Sequence, residues 1–445
     1  MSTVKRLKHL NQDYPEPDPA APSVFQRDIY ASLRAPSYST KPAQWEAAAK
    51  ASVPASNFGY VFGSAGTAST HAANLSAFHN YRLRPRMLVN ATRRDLSVNL
   101  FGTAYPHPIL AAPVGVQSIM HSDGEEATAR ACANLKVPMI LSTAATRSIE
   151  QIAAANGNGK RWYQLYWPRP QHEEVTASLL GRAKANGYEV LVVTLDTFAL
   201  AWRPTDLDDS YLPFIYGEGC AIGFTDPVFD EIFQEQQQEA RLNGGQKLRE
   251  VMDILRRPGS VFGAAKVLRN LRNMPKAREW LSVLNSGTYR EWKHLEILRG
   301  LWDGPIVLKG IQTVEDAHLA IEHGVDGIIV SNHGGRQVDG AIASLDALAE
   351  IGADERVKKS GLTVLFDSGI RTGSDVLKAL ALGAKAVLIG RPFMYGLAMG
   401  GQAGVEHVFK CLLADTDNML GNIGKKSLGE LSRHDLQVLR REARL

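Results

Sequence analysis

The chain runs to 445 residues, 44% hydrophobic and 22% charged, with a formal net charge of +4. That balance is ordinary for a globular protein and does not imply a polyanionic partner, so no nucleic acid is expected. No window approaches the run of about 20 apolar residues that spans a bilayer, and no charged-then-apolar leader opens the chain, so no membrane association is expected.

In chain order, residues 1–40 are rich in proline and poor in large apolar side chains, and read as a flexible lead-in. Residues 44–51 have a helical pattern, and the glycines and aromatics of Phe58 to Gly66 suggest a close-packed turn. From residue 108 a rhythm begins. Apolar runs of strand length recur at 108–113, 138–142, 162–166, 190–194, 305–309, 327–331, 363–367 and 386–390. Amphipathic helical patterns follow most of them, at 125–134, 148–155, 173–186, 313–323, 344–351 and 373–382. Eight strands alternating with helices predict an α/β fold, a (β/α)8 TIM barrel, with a doubly wound open sheet as the runner-up. Residues 41–445 then form a single barrel domain, in which polar residues just past the strands collect at one mouth.

One interval breaks the rhythm: residues 205–297 are a long insertion after strand 4, expected to act as a lid. Residues 241–300 carry 13 Lys and Arg against 5 acids. Their apolar spacing fits amphipathic helices with a solvated basic face, against the competing reading of a non-catalytic basic binding module. The cysteines, Cys132, Cys220 and Cys411, have no CxxC spacing, so neither a disulfide framework nor a metal site is expected.

The most informative stretch is Ile328 to Gln337, in which an apolar run stops at Ser331-Asn332-His333-Gly334-Gly335-Arg336-Gln337. It sets an imidazole near a guanidinium, a pair suited to a substrate with a carboxylate beside an acidic O–H or C–H. A core histidine beside a surface arginine is an equally good reading of this stretch taken alone. Past strands 7 and 8, Asp367-Ser368-Gly369-Ile370-Arg371-Thr372-Gly373 and Gly390-Arg391-Pro392 stand where barrels bind phosphate with backbone N–H groups. Together these point to a phosphorylated cofactor, a base and an anionic substrate.

The same residues resemble the FMN-dependent α-hydroxy acid oxidase/dehydrogenase family, from about Tyr60 to the C-terminus. Thr194-Leu195-Asp196-Thr197, Ala201-Trp202-Arg203-Pro204 and Tyr211-Leu212-Pro213-Phe214 are most similar to its lactate 2-monooxygenase branch. The resemblance implies that His333 is the general base, paired with Asp196, and that Arg203, Arg336 and Tyr60 bind the substrate carboxylate. Tyr166 would face the substrate hydroxyl, and Lys309 would favour the reduced flavin. Pro113, Val114 and Gly115 would contact the flavin ring, with Ser142, Gln164 and Thr194 at its polar edge and Ser331 also binding the cofactor. Asp367, Ser368, Gly369, Arg371, Gly390 and Arg391 would hold the ribityl phosphate. Gly115 stands where oxidases of the family carry alanine, which would leave room beside the flavin. Ala144 stands where glycolate oxidases carry tryptophan.

The implied reaction is oxidation of a small, lactate-like L-2-hydroxy acid to the 2-oxo acid with O2. Oxidative decarboxylation, or simple release of hydrogen peroxide, would follow. The resemblance also implies a homo-oligomer, a tetramer or larger. Ala443-Arg444-Leu445 resembles a peroxisomal address, so the expected location is cytoplasmic or peroxisomal.

Overall fold

In the computed structural model, which describes residues 14–242, 270 and 272–439, all of the expected apolar runs become strands of one closed parallel barrel. They are β1 (Ile109–Ala111), β2 (Met139–Ser142), β3 (Arg161–Tyr166), β4 (Leu191–Thr194), β5 (Ile306–Ile311), β6 (Gly327–Val330), β7 (Thr363–Asp367) and β8 (Ala386–Ile389). Neighbours in the chain are neighbours in the barrel, and β8 closes on β1 through Ile389 opposite Ala111. The TIM barrel is the fold, and the open sheet is excluded by that closing pair.

Alternation along each strand decides what faces inward. Leu110, Ile140, Trp162, Val192, Val307, Ile329, Leu365 and Leu388 fill the barrel interior. The residues between them, such as Leu141, Tyr163, Val193, Ile328 and Phe366, pack outward against the helices. A short hairpin, Val98–Leu100 with Thr103–Tyr105, plugs the bottom. Its Phe101 lies edge-on to Trp162 with centroids 5.8 Å apart, and the Trp162 indole donates to the Tyr105 hydroxyl at 3.2 Å. With that end shut, only the carboxyl ends of the strands can open to a ligand.

The main helices that alternate with the barrel strands are α1 (Gly124–Leu135), α2 (Ile149–Asn156), α3 (Glu173–Ala185), α4 (Leu295–Leu301), α5 (Val314–Glu322), α6 (Ser344–Ile351), α7 (Gly373–Ala381) and α8 (Arg391–Asn422). Ser148 and Thr313, expected inside helices, are N-caps: their side chains accept from Gln151 N at 3.2 Å and from Asp316 N at 3.1 Å. Two helices escaped the pattern. α4 spans only two turns, and α8 breaks at Gly400 and Gly401 and is buried on most sides, so neither shows a clean apolar stripe.

Outside the barrel, Asp417 of α8 pairs with Arg94 at 2.5 Å and accepts from Ser23 N at 3.0 Å. A helix over Val24–Ala31 starts at that contact. Within the insertion, helices Pro204–Asp208, Pro227–Leu242 and Met274–Leu284 are described. Trp280 packs edge-on to Phe229 with centroids 4.8 Å apart. Fully buried Asp226 accepts from Arg182 of α3 at 3.1 Å, fastening the insertion to the barrel wall. Residues 1–13 of the lead-in, much of the basic stretch at 243–269, and Ala443-Arg444-Leu445 lie outside the described residues. No helix among the described residues is long and apolar enough to cross a membrane.

Because Trp162 joins the interior layer to the bottom plug, Trp162→Ala should cost about 3–5 kcal/mol of stability, read from urea or thermal unfolding.

Candidate active site

The turn after β6 explains its own glycines. His333, Gly334 and Gly335 have φ values of 58°, 66° and 75°, three left-handed residues in a row. A side chain at Gly335 would put its Cβ 2.6 Å from His71 N. His333 is the strained member, since left-handed backbone is unfavourable for a residue with a Cβ. It is held there by its N–H donating to Ser331 Oγ at 3.1 Å and by its ring.

The ring is fixed through Nδ1, 2.8 Å from Asp196 Oδ1 and 3.1 Å from Thr197 Oγ1. Asp196 accepts, so Nδ1 carries the proton and Nε2 is the nitrogen left free as a base. Burial lowers the His333 pKa, with Lys309 and Arg203 adding to that effect and Asp196 opposing it. Burial works to raise Asp196, but His333 and Lys309 outweigh it and hold the carboxylate well below its usual range. Asp196 reaches this position because β5 bulges at Gly310, where φ is 109° and an added Cβ would sit 3.0 Å from the Asp196 Cβ.

Lys309 is 3% exposed, donates to Ser331 Oγ at 2.9 Å, and lies 3.5 Å from Asp367 Oδ2 and 3.8 Å from Asp196 Oδ2. Burial would lower its pKa, but the two carboxylates outweigh that and raise it, so the ammonium stays charged. Below it runs a polar belt. Ser142 donates to Gln164 Oε1 at 3.0 Å, and Gln164 Nε2 donates to Thr194 Oγ1 at 2.9 Å.

Two guanidiniums share the other wall. Arg203 donates from Nε to Arg336 O at 3.0 Å and from Nη2 to Gln337 Oε1 at 2.6 Å. Arg336 donates from Nη1 to Tyr60 O at 2.8 Å and Gly63 O at 2.6 Å, and stacks over the Tyr60 ring at 5.4 Å. Burial, with repulsion from Arg203 and Arg391, pushes Arg336 down to about 9. Burial also raises Tyr60, and Arg336 and Arg203 oppose that shift. These cations have few acids beside them, so the cavity is built for anions.

One cavity at the mouth is lined by Tyr60, Pro113, Val114, Gly115, Tyr166, Arg203, Lys309, His333, Arg336, Asp367, Ser368, Gly369, Arg371, Gly390 and Arg391. Asp196, Ser142, Gln164, Thr194 and Ser331 do not line it. They stand one layer behind, bonded to residues of the wall or to one another. At its far end Ser368 and Gly369 have φ of 88° and 90°, a turn that exposes backbone N–H groups, with Arg371 and Arg391 alongside. Arg391 is pushed down to about 10 by burial, with further lowering from Arg371 and Arg203. It also donates to the carbonyls of Val61, Phe62, Gly63 and Gly334, tying the C-terminal end of the Ala55–Phe62 helix and the turn after β6 to the turn after β8.

Several cavity residues were not legible in the sequence. His71, pushed down to about 4 by burial and by Arg391 and Arg371, lines the phosphate-like end. Asn74, on the same helix (Ser69–Ser76), exchanges two side-chain bonds of 2.8 Å with Asn332. More than 250 residues separate these partners, and no local pattern signals the pairing. Thr197 was within the quoted motif, and its hydroxyl was the available signal.

The cavity suits FMN on the chemistry of its donors. A glycine-rich turn with buried arginines answers a phosphate, the apolar Pro113 and Val114 backbone offers a flat wall for a ring, and Lys309 supplies a fixed charge. The room expected beside Gly115 is not there. A Cβ at this position would lie 2.5 Å from Ala144 O and 2.7 Å from Ala144 Cβ, and Val116 N donates to that same carbonyl at 2.9 Å. The glycine lets the loops after β1 and β2 touch. Gly115→Ala should therefore lower stability by about 1–3 kcal/mol and loosen cofactor retention, measured by thermal unfolding and by flavin released on dilution.

A family model described as "FMN-dependent dehydrogenase" matches residues 49–438. The FMN-dependent alpha-hydroxy acid dehydrogenase qulF of Penicillium citrinum is 46% identical over 400 residues, covering 90% of this chain and 91% of that protein. An L-lactate oxidase of Lysinibacillus sphaericus (strain C3-41) is 41% identical over 366 residues, covering 82% and 84%. Among solved structures, mandelate oxidase with (S)-4-hydroxymandelic acid superposes with a TM-score of 0.72 at 34% identity, covering 90% of this chain and 98% of that one. The match across nearly the whole barrel, on a cavity whose donors suit FMN, establishes that this chain belongs to the FMN-dependent dehydrogenase family and is an FMN-dependent oxidoreductase.

Proposed function

We propose that the protein oxidises an L-2-hydroxy acid to the 2-oxo acid with O2 as acceptor. The observation that carries this is the free Nε2 of His333, backed by Asp196, in the same cavity as the buried guanidiniums of Arg203 and Arg336. The two arginines hold the substrate carboxylate, and the Tyr60 hydroxyl adds a hydrogen bond to it. That grip presents the neighbouring C2 and its hydroxyl to His333, which takes the proton. Asp196 stabilises the imidazolium that results, and Tyr166 keeps a hydrogen bond on the substrate oxygen. FMN, when bound, accepts two electrons from the substrate and passes them to O2. Lys309, Pro113, Val114 and Gly115 hold its ring, while Ser368, Gly369, Arg371 and Gly390 hold its phosphate. Arg391 contributes charge and fastens the loops around it.

Likeness to the lactate 2-monooxygenase branch and to an L-lactate oxidase supports lactate as the minimal substrate. Two buried arginines on the product carboxylate favour its retention while hydrogen peroxide forms, so that peroxide decarboxylates it in place. Anaerobic mixing with L-lactate, glycolate or mandelate should bleach the flavin, and a flavin that stays oxidised with all of them sinks the hydroxy-acid reading. In air, acetate with carbon dioxide as the product of lactate marks the decarboxylating outcome, and pyruvate with free peroxide the simple oxidase.

The base works as the neutral ring, so kcat/KM should fall as pH drops through the His333 pKa. Burial sets that acid limb below the usual histidine value of about 6.5. Asp196 raises the His333 pKa, so Asp196→Asn should move the limb to still lower pH while cutting kcat on the order of 10²-fold. A pH–rate profile checks both, and a limb moving upward in the variant contradicts the pairing.

A further inference from the structure

We propose that the substituent on C2 of the preferred substrate is a bulky apolar group, an alkyl chain well beyond a methyl or an aryl ring. It occupies an annex of the catalytic cavity that the insertion builds. This rests on the 2-hydroxy acid reading and names the substrate class within it.

The cavity has two unlike parts. The part already described is crowded with charge. The other is lined by Ala144, Phe214, Cys220, Trp280, Leu281 and Leu284, none of which carries a charge. Burial pushes the Cys220 thiol up to about 12, so that wall stays neutral. Thr197 and Asn285 stand between the two parts, and both are engaged by the protein: Thr197 donates to Asp196 at 2.9 Å, and Asn285 donates to Thr197 O at 3.3 Å. The polar groups therefore stand at the junction and not among the six apolar residues of the annex.

The annex walls are fixed rather than adaptable. The 214–220 turn lies against Ala144 so closely that a Cβ on Gly219 would be 2.7 Å from Phe214, 2.9 Å from Ala144 O and 2.9 Å from Val116. Opposite, Trp280 is seated on Gly223, where a Cβ would fall 2.2 Å from the indole, and against Phe229. These walls come from two separate segments of the insertion, the 214–220 turn and the Met274–Leu284 helix, and both line the cavity. An apolar wall gains from an apolar occupant in proportion to the surface covered, and nothing from one that leaves it bare. Ala144, with only a methyl to present, takes up less of this part of the cavity than a larger side chain would.

The test uses the FMN-loaded full-length enzyme and a series of L-2-hydroxy acids: lactate, 2-hydroxybutyrate, 2-hydroxyhexanoate and mandelate. Relative to lactate, kcat/KM should rise by about fourfold for each added methylene while the annex fills, with mandelate also above lactate. Leu284→Phe and Leu281→Phe, which narrow the annex, should each lower the 2-hydroxyhexanoate-to-lactate ratio by about tenfold or more. Lactate equal to or better than every larger acid overturns the proposal, with the hydroxy-acid reading intact. If no acid bleaches the flavin, that reading falls instead. The annex is then decided by the binding of acetate, butyrate, hexanoate and phenylacetate, followed by quenching of tryptophan fluorescence. Tightening with size upholds the apolar annex, and a flat or inverted series overturns it.

Discussion

The mouth of this barrel depends on one electrostatic arrangement, the buried carboxylate of Asp196 set between His333 and Lys309. Bare burial would neutralise all three groups. Together they keep Asp196 ionised and Lys309 charged while the imidazole stays neutral, the division of states a general base needs. Three consecutive barrel strands, β4 to β6, meet at this cluster, so the closure of the barrel and the chemistry of the mouth are one problem. Gly310 solves the steric half of it, and Ser331 bridges by receiving both the Lys309 ammonium and the His333 N–H.

A second constraint is the surplus of guanidinium on the opposite side. Arg336 and Arg391 reach across to the carbonyls of residues 60–63, a segment that precedes the barrel. Those carbonyls partly offset the cost of burying the cations, and the segment is held over the mouth in return. Asp339 adds to the same seam, accepting from the backbone and hydroxyls of Thr67 and Ser69 at 2.6–2.9 Å. The loop after β6, which carries His333 and Arg336, is therefore fastened to the 60–69 segment by both Arg336 and Asp339. The remaining positive charge is what gives a carboxylate or a phosphate its grip.

Particular residues show what kind of information each level carried. The strands were legible because fully buried parallel strands are short apolar runs, and their polar last residues marked the mouth. Ser148 and Thr313 were misplaced by one residue because a cap has a helical neighbour but a non-helical backbone. α4 and α8 left no stripe to read. His333 and Arg336 were legible as a pair, yet Gly115 was misjudged. An absent methyl was taken as empty space, whereas Ala144 from the next loop fills it.

The sequence by itself determined the barrel, its order of strands, and the list of polar residues at strand ends, since these follow from local periodicity and turn chemistry. Only the tertiary structure decided which of those residues face the cavity and which stand behind it. Asp196 supports rather than lines, Arg391 ties loops as well as charging the site, and His71 and Asn74 enter from a helix with no local mark. The reason is physical: burial and close approach belong to pairs of residues far apart in the chain. Neither the state of a titrating group nor the space beside a glycine exists until those pairs meet.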